Sequence, residues 1–144
     1  MKLQILKQGE QPVENYKAIF VQPWEKTGIN LNFDGVSDNE CTEILAGDIL
    51  NFCEKDQIPL CIAALMKKLR INGVLTVGGT DMRLFCKSVI NNMLNEDQAA
   101  GMIGDFRSMS TMKDALEPLG SYNLEILSTT LSAAHYTVKA RRLS

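Results

Sequence analysis

Few residues in this chain have the type and spacing to do chemistry. Asp48 ends the run CTEILAGD, where a strand hands over to a helix. A carboxylate at the C-terminal end of a strand sits where open α/β sheets bind ligands, and it is also a natural N-cap for the helix that follows. Gly78, Gly79, Thr80 and Asp81 form the Gly-rich passage from a strand into a helix. Glycines at such a place let backbone N–H groups approach an anion, and a tight turn closed by an Asp cap uses the same residues. His135 is the only histidine. It begins an alternating strand on the face of Thr137, Lys139 and Arg141, which places it at the surface. No Ser, Cys or His constellation points to nucleophilic catalysis, and no carboxylate pair to acid–base work.

Other candidates have plainer readings. Trp24 follows Pro23 at the end of a strand, as a core cap or as an exposed aromatic of an interface. Asp34, Asp38, Asn39 and Glu40 lack metal-ligand spacing and read as a solvated loop. Met102, Met109 and Met112 flank an irregular stretch and read as adaptable packing. Cys41, Cys53, Cys61 and Cys86 contain no CxxC pair, and each lies on an apolar face. They read as small buried hydrophobes of a reducing compartment. No metal site is expected.

The elements that must position these residues centre on 41–81. CTEILAG (41–47) reads as a buried strand and DILNFCE (48–54) as a short helix. In IPLCIAALMKKLR (58–70), Ile58, Cys61, Ile62, Leu65, Met66 and Leu69 make one helical face, with Pro59 in the first turn and Asn72-Gly73 as the stop. VLTVG (74–78) is the next strand, so the unit is a β-α-β crossover. Upstream, Met1–Leu6, KAIFVQ (17–22) and INLNF (29–33) read as strands. Downstream come a helix from Met82 to about Leu94 capped by Asp81 or Thr80, and a loop or broken helix over 95–108. A helix from Ser110 to Gly120 follows, with Thr111 and Asp114 at capping-box spacing. The strands 122–128 and 135–141 are linked too briefly for a parallel crossover and should pair antiparallel.

Bulk properties bound the answer. With 144 residues, 45% hydrophobic and 22% charged, the chain suits one domain with a core. A net charge of −2 gives no reason to expect nucleic acid or an anionic membrane as partner. No apolar run approaches bilayer length, and MKLQILKQGEQ has no apolar region of signal-peptide type, so a cytoplasmic chain is expected.

The order of elements resembles the C-terminal two-thirds of a class I S-adenosylmethionine-dependent methyltransferase, over roughly residues 29–142. FDGVSDNECTEILAGDILNF (33–52) stands where that family has a loop and its fourth strand. KKLRINGVLTVGGTD (67–81) stands where it leads into the fifth, with Ile71-Asn72 in place of Pro-Gly. SMSTMKDALEPLGSYNLEIL (108–127) and YTVKARR (136–142) resemble the final helix and closing strand pair. The resemblance implies an α/β, Rossmann-like sheet, mostly parallel, with helices on its faces and a reduced N-terminal part. It also places any cofactor contacts at Asp48, Gly78, Gly79 and Asp81. The Gly-rich cofactor motif is missing. The expectation is therefore a degenerate methyltransferase-like domain with no cofactor, acting in assembly or interaction. A second copy or another protein would cover an exposed sheet edge. The alternative is a transferase using S-adenosylmethionine, its site completed by a partner or an unconventional N-terminus.

Overall fold

Cys41, Ile44 and Ala46 are completely buried, and the strand that holds them has neighbours on both sides. In the computed structural model, which describes residues 1–21, 31–104 and 106–144, six strands form one sheet. They are β1 (Lys2–Leu6), β2 (Lys17–Phe20), β3 (Cys41–Ala46), β4 (Leu69–Thr80), β5 (Leu124–Ser132) and β6 (His135–Arg142), ordered β2-β1-β3-β4-β6-β5. The first four are mutually parallel, and β6 runs antiparallel to both β4 and β5. The fold is thus α/β with a mostly parallel, mixed sheet and an antiparallel C-terminal pair, as the element order implied.

The β3-to-β4 crossover is carried by α1 (Ile58–Lys68), whose Ile58, Cys61, Ile62, Leu65 and Met66 are buried. Pro59 lies in its first turn, and Lys67 and Lys68 lie in its last, where cations favour the negative end of the helix dipole. Its final carbonyls do not go unpaired: Arg142 Nη1 donates to Met66 O at 3.1 Å and also to Leu69 O. Beside α1 lies α4 (Met112–Leu119), with Ala115 and Leu119 buried and the Asp114 carboxylate accepting from Thr111 N at 2.8 Å. Together they cover the sheet face made by Leu3, Ile5, Ile44, Leu75, Val77, Tyr136 and Val138. The other face, with Gln4, Glu43, Leu45, Thr76, Thr137 and Lys139, is half-buried to exposed. Helices on both faces were expected. The crossover 7–16 reaches the second face, where Gln4 Oε1 accepts from Val13 N at 2.7 Å and Lys2 lies over the Tyr16 ring.

Several elements differ from the sequence reading. Residues 48–54 form no α-helix; two 3-10 turns, Ile49–Phe52 and Lys55–Gln57, stand there instead. The helix expected to 70 ends at Lys68, and Asn72-Gly73 lies within β4, where the register slips between Cys41 and Glu43 of β3. Asn72 takes the positive φ of 64° there, which Asn tolerates better than most residues. The strand does not stop at Gly78 but runs through Thr80. Of the loop or broken helix expected over 95–108, the helical alternative is present as α3 (Glu96–Gly104), opened by a reciprocal pair in which Gln98 N donates to Asn95 Oδ1 at 2.8 Å and Asn95 N to Gln98 Oε1 at 3.0 Å. Helix α2 (Met82–Ile90) ends four residues early, because Asn92 adopts a φ of 57° and turns the chain. Strand β5 extends to Ser132, leaving Ala133-Ala134 as a two-residue hairpin turn. Cys86 is exposed, whereas Cys41, Cys53 and Cys61 are buried as expected. The aromatic Trp24 and part of the strands expected at 17–22 and 29–33 lie outside the described residues; Leu31 to Phe33 belong to no strand.

Candidate functional site

The strand order determines where a ligand can sit. From β1 the chain moves outward to β2, and from β3 it moves the opposite way to β4. Right-handed crossovers leaving in opposite directions must lie on opposite faces, so a crevice opens between the C-terminal ends of β1 and β3. A cavity of about 230 Å³ lies there, bounded by Leu6, Lys7, Glu10, Gly47, Asp48 and Phe52 among others. Next to it a second lobe of about 340 Å³ shares Lys7, Glu10, Asp48 and Phe52 and reaches Asn51, Met102, Phe106 and His135. One continuous cleft thus runs from the switch point to the β5–β6 turn.

Asp48 and His135 meet in this cleft. Asp48 occupies the N-cap position of the turn Ile49–Phe52 but makes no side-chain capping bond. Its Oδ1 lies instead 2.6 Å from His135 Nε2, and Gly47 O lies 2.9 Å from the same nitrogen. Two acceptors on one ring nitrogen require that nitrogen to carry a proton, which leaves the lone pair of the neutral ring on Nδ1. The hydrogen bond to Asp48 raises the imidazole pKa above its ordinary 6.5, against partial burial that works the other way. The helix-cap reading of Asp48 is thereby replaced. His135 is not simply a surface residue either, although its side chain is 38% exposed.

Gly78, Gly79 and Asp81 have other roles. Both glycines are buried inside β4, paired with Thr137 and Tyr136 of β6. A Cβ at Gly78 would collide with the carbonyls of Tyr136 and Gly47, so only glycine lets β3, β4 and β6 approach this closely. The backbone N–H groups beyond them are engaged. Thr80 N donates to Asn51 Oδ1 at 2.7 Å, Asp81 N to Ala134 O at 2.6 Å and Met82 N to Ser110 O at 2.8 Å. The carboxylate of Asp81 accepts from Leu84 N at 2.9 Å and so caps α2, the second of its two expected roles. The sequence offered Gly78–Asp81 and Asp48 as one ligand-binding group. The structure brings Asp48 to His135, and gives Gly78 and Gly79 a packing role beside the cleft floor.

Glu10, Asn51, Phe52 and Phe106 line the cleft without having been candidates. Asn51 is 4% exposed and locks the floor, its Nδ2 donating to Thr80 Oγ1 at 3.3 Å. No local pattern marks them, since each reaches the cleft through a turn rather than a periodic face. The loop acids serve structure: Asp38 pairs with Lys68 at 2.7 Å and Lys67 at 3.5 Å, Glu40 accepts from Ser37 N, and Asn39 accepts from Arg142. Lys68 and Lys67 hold the Asp38 carboxyl below its ordinary range. Met102 and Met109 pack with Phe85, Ala99 and Ala134 in a small second core, and Met112 joins the main one. Among the described residues no group of three or more His, Cys, Asp or Glu side chains is placed to hold a metal, and no helix is long and apolar enough to cross a membrane. No family model and no curated protein matches the sequence.

Proposed function

We propose that this chain is a reduced methyltransferase-like domain of class I type that acts in assembly or protein interaction and has no independent transferase activity. The observation that carries the reading is the crossover from β1 to β2. Residues 7–16 contain turns and no helix. A helix at this point would present its N-terminal N–H groups and positive dipole end to an anionic part of a nucleotide-type cofactor. Here nothing of that kind follows β1. The parallel strands β1 to β4 followed by helices α2 to α4 and an antiparallel pair support kinship with the methyltransferase sheet. Interaction is supported by the edges and faces. Strand β5 is an outer strand with Ile126 45% and Leu131 58% exposed, and parallel sheets otherwise occur with both faces covered.

The rival reading, a transferase using S-adenosylmethionine and completed by a partner, draws on one observation. The cavity lies at the switch point, with Asp48 on its wall. Calorimetric titration with S-adenosylmethionine and its demethylated product separates the two. Absence of heat and of thermal stabilisation in folded protein supports the assembly role. Micromolar binding supports the enzyme.

A further inference from the structure

We infer that the cleft between Asp48, Glu10 and His135 binds a small amine as its ammonium ion, with the ligand's apolar body against Phe52, Met102 and Phe106. This goes beyond the assembly role and rests on Asp48, Glu10, His135, Phe52, Met102 and Phe106, of which only Asp48 is also a candidate contact for S-adenosylmethionine. The first support is the inventory of charges. The larger lobe is lined by two acidic residues, Asp48 and Glu10, against one lysine, Lys7. The donors on the lobe floor are already used, since Asn51 turns its amide on Thr80 and the N–H groups of Thr80 and Asp81 are bonded within the protein. What the Asp48–His135 pair offers a ligand is acceptors. One oxygen of Asp48 is fixed by His135, which leaves the other to receive an N–H, and the neutral ring adds the Nδ1 lone pair.

The second support is the wall. Phe52, Met102 and Phe106 are half-buried side chains that converge on the lobe from the turn after β3, from α3 and from the segment beyond it. Aromatic faces beside carboxylates suit an organic cation, because the ring quadrupole attracts positive charge while the apolar surface takes the carbon frame. The volume of about 340 Å³ admits a single-ring amine and is at the lower end for small-molecule pockets. Protonated His135 would oppose the ligand, whereas neutral His135 would assist it. Binding must therefore strengthen as pH rises through the His135 titration, with Lys7, Glu10 and Asp48 the other ionisable groups facing the cleft.

Three probes of one shape test this: benzylamine, benzyl alcohol and benzoate, titrated into the intact chain above the His135 titration and followed by calorimetry and by the His135 ring resonances. Benzylamine alone should bind and move those resonances. Asp48→Asn should weaken it about tenfold and Glu10→Gln several-fold. Glu10 is on the exposed crossover, so its variant keeps the test open if Asp48→Asn does not fold. Equal binding of benzyl alcohol, preference for benzoate, no binding of benzylamine, or unchanged affinity in both variants would overturn the inference. None of these results depends on whether S-adenosylmethionine binds.

Discussion

At the scale of single residues, the Asp48–His135 contact ties the end of β3 to the start of β6. The folded-state pKa of His135 is raised above its ordinary 6.5, chiefly by the Asp48 hydrogen bond. A raised basic group contributes stability that is present below the unfolded-state pKa and lost as pH rises through the folded-state value. Wild type should therefore exceed Asp48→Asn in Tm most clearly below about pH 6.5, with the gap closing at higher pH. The chain has one histidine, so its titration by NMR can be assigned without ambiguity. A titration at or below the ordinary value would remove the Asp48 contact from consideration. A second residue-scale effect concerns Gly78. Gly78→Ala should lower the unfolding free energy by about 3 kcal/mol, because the backbone carbonyls it meets cannot rotate away as side chains do. Urea denaturation measures this directly. Asp81→Ala removes only the cap on α2 and should cost about 1 kcal/mol.

At the scale of elements, the helices were legible where apolar residues repeat, and α2 and α4 also through their caps at Asp81 and at Thr111 with Asp114. Helix α1 was readable because its buried residues recur at helical spacing, and β3 because it is a short apolar run. The stretch holding α3 was left between a loop and a broken helix because Gly101 and Gly104 argue against a regular helix, while the reciprocal Asn95–Gln98 bonds that open it resemble loop chemistry in sequence. Space around Gly101 is open, so Gly101→Ala should stabilise the protein by about 1 kcal/mol, seen as a raised urea midpoint. Leu65→Ala in α1 should cost about 2–5 kcal/mol, since that side chain is completely buried between helix and sheet. The turns after β3 were misread for a related reason. Ile49, Phe52 and Cys53 have helix-like spacing, yet Ile49, Leu50 and Cys53 are buried by the fold around two 3-10 turns rather than by one helical face. The Asp48–His135 pair was beyond reach of the sequence, because it joins residues far apart in the chain that only the order β3-β4-β6 brings together.

At the scale of the whole molecule, β1 and β2 settle beside β3 and close the edge that a sheet without its N-terminal strands would expose. The outer strands among the described residues are β2 and β5, and the face away from α1 and α4 is half-buried to exposed. These are the surfaces on which an assembly role depends. The cleft at the switch point keeps the position of a ligand site but lacks a helix after β1 to receive an anion. The proposal that the domain has no independent transferase activity is tested most directly by calorimetric titration of the folded chain with S-adenosylmethionine. No heat, with no thermal stabilisation at saturating cofactor, is the expected result. Binding in the micromolar range, lost on substitution of Asp48, would contradict it and return the cleft to a transferase.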